Sequence, residues 1–218
     1  LTKPEVREIA VSQKLATAKR KDSQGICFVG KVDLPVFLQQ KLAARQGNIH
    51  EILPSWPKYE RYAADTSLEG MARPYSYTVR DGKKIGTHNG AHFYTIGQRK
   101  GLGIGGRKQS LFIIGTDVDT NTIYVGEGDD HPGLYRRALK IETNELHWAD
   151  AADALAIGES RSFDLRIRYR QPLQRATMHM KEDGAYIVFE APQRGIAAGQ
   201  FAAWYDGEKL IGSGVISA

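Results

Sequence analysis

The sequence has a single cysteine, Cys27, among 218 residues. One cysteine excludes an internal disulfide framework and any multi-thiolate zinc site, and it fits a reducing cytoplasm. No apolar run is long enough to span a bilayer, and there is no basic-then-apolar leader ending in small residues. The sequence therefore predicts a cytoplasmic protein without a membrane partner. There is little charge imbalance. The formal net charge is +5 and the pI is near 9.2, a mild excess that suits a polyanion such as RNA without demanding one. Apolar residues at 41% and charged residues at 25% are ordinary for a globular chain. The chain opens at Leu1, already inside a helix cap, and reads as a piece of a longer or processed protein.

Thr2-Lys3-Pro4-Glu5 has the form of a capping box, and Val6, Ile9 and Ala10 follow at helical spacing. A second helix is expected from Leu34 to Ala44, with Asp33 as N-cap and Gly47 as stop. Residues 50–80 show no clear period. Pro54, Pro57 and Pro74 interrupt them, and Trp56, Tyr59, Tyr62, Tyr75 and Tyr77 are scattered through, which predicts an ordered excursion with little regular structure. From about residue 84 the pattern turns to β. Ala91–Ile96 reads as a strand, and Leu111–Asp117 with Thr122–Val125 as a hairpin closed by Asp119-Thr120-Asn121. Further runs follow at 138–141, 162–170, 176–180, 185–190, 201–204 and 210–216, with hairpin turns at Asp183-Gly184 and Asp206-Gly207. The expected fold class is α+β, predominantly β. It comprises a short helical amino-terminal segment, a small central domain and a carboxy-terminal antiparallel β-barrel.

Four features bear on chemistry. Gly101-Leu102-Gly103-Ile104-Gly105-Gly106 satisfies the dinucleotide-loop pattern, but it leads through Arg107 and Lys108 into a strand instead of opening a helix. A glycine-rich loop flanked by cations, able to lie against an RNA backbone, is the better reading. His88 and His92 have helical metal-ligand spacing, but Gly90 between them and the lack of nearby cysteines argue against zinc, so no metal site is expected. In Phe163–Arg170, strand alternation puts Phe163, Leu165, Ile167 and Tyr169 on one face and Arg166, Arg168 and Arg170 on the other. That row of guanidiniums, roughly 6.7 Å apart, suits a phosphate backbone and equally suits a solvated face. Cys27 lies just after Lys19-Arg20-Lys21, cations of the kind that lower a thiol's pKa. It is either a buried apolar filler or a reactive thiol.

These segments together resemble bacterial tRNA 2-thiouridylases. Thr17–Gly30 resembles the stretch around that family's second catalytic cysteine, and Gly86–Gly90 with Tyr94–Ile104 its central-domain signature. Leu146-His147-Trp148, Arg168-Tyr169-Arg170-Gln171 and Gly199-Gln200 resemble landmarks of its carboxy-terminal barrel. The resemblance implies a domain layout of 1–30 (the tail of the catalytic, ATP pyrophosphatase-type domain), 31–130 (the central domain, with an insertion near 48–78 longer than the usual connection) and 131–218 (the barrel). It implies conversion of a wobble uridine of tRNA to 2-thiouridine. ATP activates the uracil oxygen, a persulfide on Cys27 delivers the sulfur, and a second cysteine attacks the persulfide, the pair passing through a disulfide. It also implies tRNA contacts at Arg168, Tyr169 and Gln200, and a persulfide donor or relay protein as partner. Alternation sets Tyr169 on the face opposite Arg168, which conflicts with RNA contacts by both side chains, so a bulge or strand end near Pro172 is expected to reorient one of them. Neither the family's Ser-Gly-Gly-x-Asp pyrophosphate loop nor its partner cysteine occurs in this sequence. ATP is therefore expected on a domain outside this chain, and the chain alone is expected to be inactive. Two other functions compete: an RNA-binding module with an incidental cysteine, and a thiol enzyme unrelated to RNA.

Overall fold

The computed structural model describes residues 1–15, 18–19, 44–169 and 171–217. These fall into two compact units, Leu1–Ala44 and Arg45–Ala218. In the first, helix α1 (Lys3–Ser12) starts as the sequence predicts. The Glu5 carboxylate accepts from the Thr2 backbone N–H and, at 3.0 Å, from the Thr2 hydroxyl. These bonds hold its pKa below the usual carboxylate value. No residue of α1 is buried. The expected helix at 34–44 falls almost wholly outside the described residues, as do Cys27 and Arg170.

The second unit carries two sheets. The smaller has strand order β2-β1-β4-β3, built from β1 (Gly47–Glu51), β2 (Lys83–His88), β3 (Leu111–Asp117) and β4 (Thr122–Glu127). The hairpin β3–β4 turns as expected, with Asn121 accepting the left-handed conformation at φ 51°. Strand β1 pairs antiparallel with β2 and parallel with β4.

Residues 50–80 are more regular than predicted. They hold helix α2 (Lys58–Ala64), helix α3 (Leu68–Ala72) and the end of β1. Their scattered aromatics are a core: Trp56, Tyr59 and Tyr77 are buried together with Ile52, Phe112 and Leu134. The Tyr59 and Tyr77 hydroxyls meet at 2.9 Å, and burial pushes both well above the usual phenol pKa. The excursion is pinned by Asp81, which accepts from Trp56 Nε1 at 3.0 Å and from the Thr78 backbone and hydroxyl at 2.8 and 2.7 Å. Lys58 lies 3.1 Å from the same carboxylate.

The expected strand at Ala91–Ile96 is instead a single 3-10 turn, Ala91–Phe93. Gly90 before it sits at φ 143°, and the Ala91 N–H is taken by the Asn121 side chain at 2.9 Å, so no ladder can start there.

The larger sheet is seven antiparallel strands in the order β5-β9-β8-β7-β10-β11-β6. Its strands are β5 (Tyr135–Ile141), β6 (Leu146–Trp148), β7 (Ser160–Arg166), β8 (Gln174–Lys181), β9 (Gly184–Arg194), β10 (Phe201–Asp206) and β11 (Lys209–Val215). The sheet curls around Trp204, Phe163, Leu165, Met178, Ile187 and Phe189 without a ladder between its edge strands β5 and β6. The gap is bridged beyond β11, where the Ser217 N–H donates to Lys140 O of β5 at 2.9 Å. Arg136 ties this sheet to the excursion, donating to Ala72 O at 2.9 Å and Ile196 O at 3.1 Å.

Candidate nucleic-acid interface

Strand β7 begins with the predicted alternation: Phe163 and Leu165 are buried, while Asp164 and Arg166 are half-exposed. The ladder then stops at Arg166, four residues earlier than the pattern suggests. The reason is local. The Ile167 N–H donates to Gln171 Oε1 at 3.1 Å instead of to a neighbouring strand, and the Gln171 N–H donates back to Arg168 O at 3.1 Å. The chain turns here, and strict alternation no longer holds. Tyr169, assigned by alternation to the buried face, is 86% exposed, and Arg168 is exposed beside it. The conflict between a buried-face Tyr169 and a surface role is thus removed by the strand end.

The turn faces the start of β10. Gln200 precedes that strand, its backbone held between Ala197 and Ile216. Arg168, Tyr169 and Gln200 line one shallow groove of about 540 Å³ together with Arg166, Phe201 and Tyr205. The two arginines have defined supports, whereas the Gln200 amide oxygen is buried without a partner among the described residues. Arg168 donates to Gly195 O at 3.0 Å, leaving the rest of its guanidinium for the groove. Arg166 reaches Tyr169 O at 3.4 Å and lies 5.1 Å over the Tyr205 ring. Phe201 is 64% exposed, an apolar ring in a groove of cations and amides. Fixed guanidiniums for phosphate and exposed aromatic faces for bases are the components of single-strand nucleic-acid sites.

The structure brings the predicted Arg168, Tyr169 and Gln200 together although about 30 residues separate Tyr169 from Gln200. Sequence reading overlooked Phe201, which sits in the segment 201–204 read only as a strand, and Tyr205 just after it. Arg166 was visible as part of the arginine row, but its ring contact was not.

The other candidates have the following surroundings. The glycine-rich loop 101–106 leads to β3 and opens no helix, so it lacks the geometry of the dinucleotide fingerprint; with Arg99, Arg107 and Lys108 it lines a depression of about 640 Å³. Of its flanking cations, Arg107 is committed to Glu51 at 2.8 Å and Glu127 at 3.6 Å. His88 is buried and its Nδ1 accepts from the Gly90 N–H at 3.0 Å, a bond that braces the turn at 88–90. Burial depresses its pKa. No group of three potential metal ligands occurs among the described residues. Among them, too, no helix is long and apolar enough to cross a membrane.

Comparison with known proteins accounts for most of the chain. Three family models match in order: the tRNA methyl transferase HUP domain over 1–31, the tRNA methyl transferase PRC-barrel domain over 71–127, and the aminomethyltransferase beta-barrel domain over 138–216. The tRNA-specific 2-thiouridylases MnmA of Christiangramia forsetii and Flavobacterium johnsoniae are 49% and 50% identical to it, each over 100% of this chain and 56% of the relative. That of Stutzerimonas stutzeri is 40% identical over 99% of the chain and 50% of the relative. The chain thus spans about half the length of the curated relatives it matches. With the matched domains in this order and identity running along the whole chain, the chain belongs to the tRNA-specific 2-thiouridylase family.

Proposed function

We propose that this chain supplies the sulfur-carrying thiol and part of the RNA-binding surface of an enzyme that forms 2-thiouridine at the wobble position of tRNA. The observation that carries this reading is the groove. Arg168, Tyr169 and Gln200 converge on one surface that also offers Phe201, Tyr205 and a second guanidinium. Phosphate contacts at such a groove position the RNA without reading its sequence.

Cys27 is the sulfur carrier in this reading. As a persulfide it presents an anionic terminal sulfur, a good nucleophile at neutral pH, for the C2 carbon of the uracil. A persulfide donor or relay protein loads it. The sequence carries no Ser-Gly-Gly-x-Asp loop, so in this reading ATP is bound by residues outside this chain. The activation of the uracil oxygen belongs to residues outside it.

The test is 2-thiouridine formation by the full-length parent enzyme carrying Cys27→Ser. The expected result is loss of sulfur transfer with tRNA affinity largely intact, because a hydroxyl cannot hold a transferable sulfur. This chain alone, given ATP, tRNA and a sulfur donor, should form no product. A serine variant that thiolates near the wild-type rate removes Cys27 from the role and favours the second reading, an RNA-binding module whose cysteine is incidental.

A further inference from the structure

The aromatic excursion at 52–81 ends in a pocket that the groove at Arg168 does not use. The pocket, about 280 Å³, lies between α2, the segment after α3 and the start of β5. It is just under the roughly 300–1,000 Å³ of ordinary small-molecule sites. Its aromatic walls are Tyr62, Tyr75 and Tyr135, and each hydroxyl is already engaged. Tyr62 accepts from the Ser76 N–H at 3.0 Å, Tyr75 donates to Tyr135 O at 3.1 Å, and Tyr135 donates to Asp129 O at 2.8 Å. Tyr62 and Tyr75 meet edge to face at 4.9 Å and 81°. The rings are therefore held in place, with half-exposed surfaces left for a ligand.

The lining is mostly apolar, with three arginines among its residues. Arg73, Arg136 and Arg137 face the pocket, against one acid, Asp65, which lies 4.0 Å from Arg73. Arg136 has two carbonyl partners and, among the described residues, no carboxylate. Burial lowers its pKa to about 10. Arg137 is exposed.

Shared lining residues link the pocket to the groove. A shallow depression of about 510 Å³ shares Tyr135 and Pro192 with the pocket and Arg168 with the groove. Its floor is a row of amides: Gln171 Nε2 donates to Gln193 Oε1 at 2.7 Å, and Gln193 Nε2 reaches Gln174 Oε1 at 3.5 Å. The result is one track of guanidiniums, neutral amides and aromatic rings ending in a half-open ring pocket.

We propose that this pocket takes one unpaired base of the bound RNA, while the adjoining backbone runs along the amide floor to Arg168. The proposal rests on the reading that the Arg168 groove binds RNA. Fixed aromatic faces stack any base, and surrounding arginines neutralise the neighbouring phosphates. A pocket of this size suits a single ring system. The excess of cations favours an RNA strand over a protein segment.

The test uses the full-length parent enzyme with tRNA and with an anticodon stem-loop carrying 5-bromouridine. Three variants are compared with wild type: Ala63→Trp, which places a bulky ring at the exposed pocket mouth, Arg137→Ala, and Arg168→Ala. The expected result is that Ala63→Trp weakens tRNA binding roughly five- to a hundredfold, the range for loss of one base–aromatic stack, with unchanged melting temperature. Arg137→Ala should make the salt dependence shallower, and photocrosslinks on wild type should map to Tyr62, Tyr75 or Tyr135. Should Ala63→Trp unfold the enzyme, the Arg137→Ala salt series and the wild-type crosslinks still decide the question. Wild-type affinity and salt slope in the pocket variants, with no crosslink at those tyrosines, overturn the proposal. In that event, weaker binding by Arg168→Ala leaves the groove reading standing, whereas a neutral Arg168→Ala removes the RNA reading itself. Normal RNA binding combined with impaired sulfur loading in Ala63→Trp overturns the proposal in favour of a protein-docking site.

Discussion

Arg168→Ala isolates what the groove contributes. The guanidinium offers five N–H donors, and one hydrogen bond, to Gly195 O at 3.0 Å, is accounted for within the fold. The remainder faces the groove beside Tyr169 and Gln200. One charge-assisted contact to a phosphate at a solvent-exposed site is worth on the order of 1 kcal/mol, about a fivefold change in Kd. Losing one neutralised phosphate should also make the slope of log affinity against log salt shallower by roughly 0.7 to 0.9. The substitution has a structural side effect, because Gly195 O loses its donor and Gly97, whose added Cβ would lie 3.6 Å from the same guanidinium, loses a neighbour. Arg168→Lys separates the two effects, since it keeps the charge and so should keep the slope while sacrificing the fixed geometry. Filter binding of tRNA by the full-length enzyme across a salt series measures both quantities. An Arg168→Ala variant with wild-type affinity and wild-type slope would show that the guanidinium only braces the Gly195 loop.

Three further outcomes follow from contacts elsewhere. Burial raises the carboxyl pKa of Asp81, but the hydrogen bonds from Thr78, Lys58 and Trp56 prevail and hold it at about 2. Its share of stability is therefore present above the unfolded value near 3.8 and is lost as pH falls toward 2. Asp81→Asn should lower unfolding free energy by on the order of 1 to 2 kcal/mol in urea titrations at neutral pH, and an unchanged midpoint would refute the pinning role. His131 is buried, with Nε2 3.1 Å from Ile52 O and Nδ1 accepting from the Gly133 N–H, so the ring must be neutral. Burial depresses its pKa below 6.5, so the fold should lose stability as pH drops through 6.5 toward the folded pKa. Melting temperatures between pH 8 and 5 check this, and a His131→Gln variant that keeps the full slope would place the titration elsewhere. A Cβ at Gly212 would lie 2.5 Å from His147 O and 2.6 Å from the Trp204 ring. Gly212→Ala should therefore destabilise by about 1 to 3 kcal/mol in the same urea assay, and a neutral result would mean the β6–β11 contact is soft.

The parts of the fold that local chemistry decides were legible in advance. The α1 cap, the turn at 119–121, the turns at 182–183 and 207–208 (each one residue from its predicted place), and the alternating strands of the larger sheet each follow from a few adjacent residues. What escaped depends on distant partners. Strand β1 has only Ile49 as an aliphatic residue, and it is a strand because β2 and β4 flank it. Helices α2 and α3 are seven and five residues long, too short for a period to register, and are held by the aromatic core. The strand end expected near Pro172, which brings Tyr169 to the surface, has an origin the sequence did not show: one side-chain amide, Gln171, captures the Ile167 N–H and ends the ladder. Family resemblance singled out Arg168, Tyr169 and Gln200, but their meeting in one groove could not be read from the sequence, because it depends on where β10 starts opposite the end of β7.

The parallel pairing of β1 with β4 has a kinetic consequence. Seventy residues separate Glu51 from Thr122, so β1 leaves the ribosome long before its β4 partner exists. Until then its central position in the smaller sheet is only half filled, by β2. Closing so long a loop is entropically slow, and the intervening excursion must collapse around its own tyrosines first to bring the ends near. The smaller sheet should therefore be the last part of this unit to acquire protection against hydrogen exchange during refolding, with the sequentially paired hairpins of the larger sheet ahead of it.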